Sequence, residues 1–193
     1  ADFQVTGLAP GGPVTITAGP TGDVLINAQA QEDILAITAG FAASGVASLD
    51  AGATVVKIDN NTLAATVGGP AHITAGGNVL VQASDDTVVA GITGEGAVGL
   101  TGGGFGGAAV VTLIDKDTSA YVANGSTIQA NAKGNGTLTV LDGGYNSTNT
   151  AISQKAIKGV AIQATTSESV EAIAVGAAGG PYVGAGAGGP VTL

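Results

Sequence analysis

The feature that most limits how this chain can fold is a long internal repeat, whose parts recur in the same order three times, the third time incompletely. In the middle copy Ile73-Thr74-Ala75 and Val79-Leu80-Val81-Gln82-Ala83 lead through Asp85-Asp86-Thr87 into Val88-Val89-Ala90. A small-residue run from Gly91 to Gly107 follows, and then Val110-Val111-Thr112-Leu113-Ile114-Asp115. The first copy reads Ile16-Thr17-Ala18, Val24-Leu25-Ile26-Asn27-Ala28 and, after Gln31-Glu32-Asp33-Ile34, closes on Val55-Val56-Lys57-Ile58-Asp59. The third opens at Thr127-Ile128-Gln129-Ala130, is interrupted, resumes at Val160-Ala161-Ile162-Gln163-Ala164 and stops at Val191-Thr192-Leu193. Gly40, Gly94 and Gly176 each follow Ile34, Val88 and Val170 by six residues, which makes those three apolar positions equivalent.

Each copy contains runs with apolar residues at alternate positions, the period of a strand with one buried face. Gly, Asn and Asp read as corners, because they tolerate positive φ. A period of about 56 residues is long for one solenoid layer, so it is divided here into three turns of about 18–20 residues, the middle copy splitting at Ala90 and Ala108. The expected fold is all-β: a single right-handed parallel β-helix (β-solenoid) of about ten turns, near 50 Å long at about 4.8 Å per turn. Residues 1–193 are expected to form one domain, with an insertion at 131–159. Val81, Val88, Val111, Leu113 and Ile162 are expected to point inward. The Ala-rich segment Gln31 to Ala47 is read as strands and tight turns, because its counterparts Thr87 to Gly107 and Ser169 to Gly189 carry too many glycines for a helix.

Composition narrows the function. Apolar residues make up 45% of the chain but aromatic residues only 3%, so the core is narrow and built from Ala, Val, Ile and Leu. The net charge is −9, with five Lys and no Arg, which argues against a nucleic-acid partner because phosphate neutralisation needs clustered cations. There is no cysteine, hence no disulfide and no thiol chemistry. Apolar runs are broken well before the length of a bilayer-spanning helix, so no membrane span is expected. The start Ala1-Asp2-Phe3 fits a mature amino terminus or an excised fragment. The likeness of Gly12-Pro13-Val14-Thr15-Ile16 to Gly189-Pro190-Val191-Thr192-Leu193 allows end-to-end contact between copies, a geometry that continues without closing.

Candidate chemistry is sparse. The acid pairs are Glu32-Asp33, Asp85-Asp86 and Asp115 with Asp117; adjacent strand residues point to opposite faces, so only the last pair can share one. Glycoside hydrolysis needs two facing carboxylates. The chain offers no Arg to accompany them, which makes a carbohydrate-active enzyme a remote alternative. Calcium takes six to eight oxygens, and the run Gly102 to Gly107 lacks the Asp of calcium-binding rolls. His72 stands alone and reads as a surface strand residue. No cofactor, metal or catalytic residue is expected. The insertion holds three of the five lysines. It reads as an additional solenoid turn with solvated Lys, or as a partner-binding loop carrying Lys133, Tyr145, Asn146, Asn149, Lys155 and Lys158.

The order of parts, a strand ending in Ala, an acidic pair, an Ala- and Gly-rich run, then Val-Val-x-x-Ile-Asp, resembles the repeats of very large bacterial surface exoproteins of the haemagglutinin and leukotoxin type. The matching positions are Val55 to Ala64 and Val110 to Ala120, with Ser167 to Leu193 matching the first half. The resemblance implies a right-handed parallel β-solenoid, exported to the cell surface or medium, that serves as an adhesive stalk and carries no catalytic residues. Its partners would be a surface ligand on a host or neighbouring cell, or further copies of itself. A self-assembling extracellular filament subunit, stacked head to tail, is the competing expectation.

Overall fold

The computed structural model describes residues 3–6, 12–65, 70–145, 147–148 and 152–192, and among these the chain is all-β with no helix. A short β1 (Phe3–Thr6) precedes the repeats. The first repeat supplies β2 (Val14–Ala18), β3 (Val24–Ser44) and β4 (Ser48–Ala65). The second supplies β5 (Ala71–Ala75), β6 (Val79–Gly99) and β7 (Gly103–Tyr121). The third supplies β8 (Thr127–Ala130), then an inserted pair β9 (Leu138–Tyr145) and β10 (Ile152–Ile157), and then β11 (Val160–Gly179) and β12 (Val183–Thr192). The Ala-rich segment after Gln31 is strand rather than helix, and it runs on to Ser44 without the tight turns expected within it. β3 and β6 are 21 residues each, far beyond the usual 3–10 or so.

Hydrogen-bonded neighbours in the sheets are one whole repeat apart. β2 pairs in parallel with β5, Ile16 opposite Ile73, and β5 with β8, Ile73 opposite Ile128. The other two sheets follow the orders β11-β6-β3 and β12-β7-β4. In the β3–β6 pair, Glu32 meets Thr87 and Gly40 lies against Glu95, a constant offset of 55 residues that only parallel strands give. β12 sits on β7 in parallel with Val183 opposite Gly103, the offset lengthened to 80 (183 minus 103) by the insertion. The division into turns of 18–20 residues, and with it the count of about ten, does not match this pairing. The expected split points Ala90 and Ala108 lie inside β6 and β7. The physical reason is that the glycines between them are mostly extended rather than at corners. Positive φ among the described glycines occurs at Gly125, Gly134, Gly143 and Gly159, and at none between Gly91 and Gly107.

The chain forms two compact units, each drawing on all three repeats: Ala1–Ala30, Asn61–Asp85 and Asp117–Thr166 make the first, and Gln31–Asn60, Asp86–Lys116 and Ser167–Leu193 the second. In the first, Val24, Ile73, Ala75 and Val79 form a buried cluster flanked by Ile16, Ile26 and Ile128. Side chains of that size each contribute about 1.5–3 kcal/mol on burial. Antiparallel β1 covers β2, with Val5 opposite Ile16. At one corner a polar ladder replaces apolar packing. Asp23 Oδ1 accepts from the Asn78 backbone N–H at 2.6 Å and from Asn78 Nδ2 at 3.1 Å, while Asn78 Oδ1 accepts from the Gly159 N–H at 2.8 Å.

The second unit has a small apolar cluster of Val56, Ile58 and Val89 with Ile34, Ala36 and Ile114 against it. Beside it and beside the buried Ala97, Ala108 and Val110, the interior holds polar side chains. Thr93 Oγ1 donates to Thr54 Oγ1 at 2.7 Å, and Thr38 shares that hydroxyl at 2.7 Å. Lys116, its side chain 1% exposed, places Nζ 2.7 Å from Glu32 Oε2, which also accepts from Thr87 Oγ1 at 2.9 Å. Elsewhere the two sheets approach so closely that only glycine fits. A Cβ on Gly106 would overlap the carbonyl oxygen of Ala177, and one on Gly176 the carbonyl oxygen of Ala187.

This packing corrects the expected inward set. Val81 is buried and faces in, but Val88 is 43% exposed while Val89 is buried, and on β7 it is Val110 and Thr112, not Val111 and Leu113, that are buried. Ile34 packs with Val89, so aligning it with Val88 is one residue out of register, and a slip of one residue turns every side chain of a strand to the other face. Ile162 lies in the outermost strand of its sheet and is half-exposed.

Candidate binding cleft

The insertion folds as an antiparallel hairpin rather than as a further parallel turn. β10 returns along β9 with Ile157 opposite Leu138 and Lys155 opposite Val140, and the register shifts between Ile152 and Gln154. Its alternation is that of a one-face-buried strand. Val140 packs with Leu80 and Ala161, supported by Leu138 and Ile157, so the hairpin covers apolar side chains of β6 and β11. Asp142 fixes the far end. Its carboxylate accepts from the Ser153 hydroxyl and, at 2.9 Å, from the Gly144 N–H, and these bonds hold it below the ordinary range, with Lys155 adding attraction against the opposing effect of burial.

Two adjoining clefts run along this seam. The larger, about 590 Å³, is walled by Leu141, Gly143, Tyr145 and Ile152 from the hairpin and by Gln163 and Thr165 from β11. The smaller, about 290 Å³, is lined by Gln82, Thr139, Gln154 and Gln163 among others. Gln163 Oε1 accepts from the Leu141 N–H at 3.2 Å, which ties the hairpin backbone to the sheet. The surface offered is neutral: one phenol ring, amides and hydroxyls. That is a set for hydrogen bonding to an uncharged polar ligand rather than for proton transfer.

Of the six residues singled out in the insertion, Tyr145 alone lines the larger cleft among those whose placement is described. Asn146 and Asn149 lie outside the described residues. Lys158 donates from Nζ to Gly134 O at 2.7 Å and so braces the loop after β8. Lys155 faces the charge of Asp142, and Lys133 is exposed beside Gly134, its backbone N–H donating to Gly76 O at 2.9 Å. The lysines therefore spread around the hairpin and do not converge on one ligand position. Gln82, Gln163 and Thr165 were missed by sequence reasoning. Their signal was the recurrence of Gln82 and Gln163 before the Ala that ends each strand motif, visible only once the hairpin is placed over them.

The acid pairs remain apart. Asp85 is buried and Asp86 exposed, as neighbours on a strand must be, and Asp115 and Asp117 are both exposed on one edge of β7. His72 is exposed on β5. Among the described residues no three His, Asp or Glu side chains group as metal ligands. One acid pair does meet, Glu95 with Asp50, inside the second unit. Burial raises the Glu95 carboxyl above its ordinary value of 4.5, and the charge of Asp50 and a hydrogen bond with it raise it further. No protein-family model, curated protein or solved structure matches this chain.

Proposed function

We propose that this chain is a non-catalytic, structural and adhesive segment of an exported β-solenoid protein, right-handed, working at a cell surface or in the medium. The observation that carries the reading is the pairing of equivalent strands at whole-repeat intervals, Ile16 to Ile73 to Ile128. A chain built that way gains length by adding repeats, the economy of a stalk. The resemblance of Val55 to Ala64 and Val110 to Ala120 to surface exoprotein repeats points the same way. On this stalk the hairpin and its neutral cleft are the ligand contact, with Tyr145 as the stacking surface and Gln163 and Thr165 as hydrogen-bond partners. Lys133, Lys155 and Lys158 set the local charge around them.

The test is binding of the purified chain to immobilised neutral oligosaccharides and to cells. Tyr145→Ala should weaken binding roughly tenfold, as loss of one aromatic anchor does, with the melting temperature unchanged. Release of reducing sugar ends from a polysaccharide would refute the non-catalytic reading, and absence of binding to any surface would refute the adhesive one. A second reading, an extracellular filament stacked end to end, is favoured by the outer strands. β3 and β4 on one side, and β11 and β12 on the other, are long and end the order of their sheets, the kind of edge that accepts another strand. Electron microscopy of concentrated protein decides between fibres and short particles.

A further inference from the structure

The second unit buries charged and hydroxyl side chains beside its apolar cluster and exposes large apolar ones. Across residues 34–56, 87–114 and 172–192 the only charged residues are Asp50 and Glu95, and those two face each other in the interior. Both outer faces of that region are therefore free of charge, while the chain as a whole carries −9. On the β3-β6-β11 face, Leu35, Ile37, Phe41, Ile92, Ile173 and Val175 are between 37% and 70% exposed. Together they present roughly 600 Å² of apolar surface. That is at the top of the range for a monomer's largest patch, and not far short of the roughly 800 Å² each partner buries in a standard interface.

The pattern on the two faces is specific. The 55-residue offset puts Ile37 beside Ile92, and the bond from the Val79 N–H to Gly159 O, which sets Val79 beside Val160 at an offset of 81, puts Ile92 beside Ile173. One isoleucine per strand thus makes a ridge across the sheet, with a rise of about 4.8 Å per strand. On the β4-β7-β12 face, Gly107 lies opposite Ala187 and Ala109 opposite Gly189, small residue beside small residue, and Ala51 and Gly52 of β4 line the same place. These residues floor a shallow trough of about 400 Å³, wide open to solvent. Beyond it Val111 lies opposite Val191.

We infer that the second unit associates sideways with a second copy of this chain, the isoleucine ridge of one copy seating in the small-residue trough of the next. Three observations select that occupant. Ridge and trough share one strand spacing, because the same hydrogen-bond ladder sets both, and another sheet of this chain matches it rung for rung. The net negative charge makes copies repel, and that repulsion is weakest across these two faces, whose charged residues, Asp33, Asp86 and Glu171 on one and Lys57 and Asp115 on the other, stand at one end. A lipid interior is disfavoured because β3 and β11 end their sheets with unpaired backbone groups, which cost several kcal/mol each in hydrocarbon. Ridge into trough also covers both faces, whereas ridge against ridge leaves the trough face bare. The contact is heterologous, so it repeats from copy to copy. It uses the faces rather than the strand edges, and so stands independently of the end-to-end filament.

The whole chain is tested by sedimentation velocity over a dilution series. Wild type is expected to associate, with Ile92→Lys weakening association by about 30-fold or more, as loss of a central interface anchor does. Ala109→Leu, which fills the trough, should do the same, and both substitutions face outward, so the melting temperature of the monomer should hold. Because the chain has no cysteine, mixing the Ile92→Cys and Ala109→Cys variants under mild oxidation should give an intermolecular disulfide, readable even if the lysine variant misfolds. A wild type that stays monomeric overturns the inference, as does association unchanged by both variants, or a disulfide formed by Ile92→Cys alone but not by the mixture. Flotation of monomeric wild type with neutral phosphatidylcholine vesicles, lost in Ile92→Lys, would assign the face to lipid and equally overturn it.

Discussion

Gly106 and Gly107 are neighbours in β7 whose replacement by alanine should have opposite effects. A Cβ on Gly106 would lie 3.1 Å from the carbonyl carbon of Ala177 and closer still to its oxygen, and the obstacle is backbone of β11, not the end of a side chain that can turn away. To restore contact at the usual 3.5 Å or more, the two sheets must part locally by roughly 1 Å, which forfeits dispersion contacts along the seam. Overpacking of this kind costs about 1–3 kcal/mol, and a rigid obstacle places Gly106→Ala at about 3. Gly107 points the other way, with no atom within 4 Å of the added Cβ. Gly107→Ala should stabilise by about 0.5 kcal/mol, by restricting the unfolded chain. At this chain length about 1 kcal/mol moves the melting temperature by 2–4 °C. Gly106→Ala should therefore melt roughly 6–12 °C below wild type and Gly107→Ala about 1–2 °C above it. Circular dichroism melts at one low protein concentration, backed by urea titration, provide the measurement. If Gly106→Ala melts within 2 °C or so of wild type, the sheets are not in glycine-limited contact and the account of the interior is wrong.

Lys116→Ala should cost about 2–3 kcal/mol in urea unfolding, near the low end for breaking a buried pair because Glu32 keeps a side chain 26% exposed to water; a loss under about 0.5 kcal/mol would contradict the pairing. Glu95 has a folded value raised above the unfolded one, so its contribution to stability is fully present below 4.5 and is lost as pH rises through the folded value. Glu95→Gln should flatten the fall in melting temperature over that window, and an unchanged pH profile would rule out the acid pair. Asp142 has the opposite sign. Its folded value is lowered, so its contribution is present above the ordinary 3.8 and is lost as pH falls through the folded value. Asp142→Asn should remove that acid sensitivity from hydrogen exchange at the hairpin amides, starting with Gly144.

The strand period and the repeat interval were legible because Ile16, Ile73 and Ile128 carry them in their side chains. What was not legible follows from residues that carry no such mark. Glycine fits a positive-φ corner and a close sheet approach equally well, so the run from Gly91 to Gly107 admitted corners where β6 and β7 run on. The one-residue slip has a sharper cause. Matching Gly40 with Gly94 pairs like with like, whereas the fold sets Gly40 against Glu95, whose carboxylate fills the room that Gly40 and Gly52 leave. Packing pairs large with small, and a search for identity overlooks that; Val88 and Val89, being the same residue, could not arbitrate. For the cleft, the alternation from Thr137 to Leu141 announced a strand, but a strand pattern does not say whether its partner is a neighbouring repeat or its own return segment. Tyr145 was visible as an aromatic in an aromatic-poor chain, while Gln163 and Thr165 gained meaning only from the hairpin laid over them.

The interval between paired strands also governs how the chain acquires its structure. β2 and β5 are 57 residues apart at Ile16 and Ile73, and β7 and β12 are 80 apart at Gly103 and Val183. A separation of that order over 193 residues corresponds to a relative contact order on the order of 0.3, above the roughly 0.16–0.22 of slow-folding all-β domains. Outside the two local pairs, β1 with β2 and β9 with β10, no sheet contact can form before a second repeat is available. Loop closure must be met in full before the ladder returns anything. The parallel sheets consequently cannot begin to form until two repeats of the chain have been made. Each later repeat then finds a finished edge already waiting to receive it.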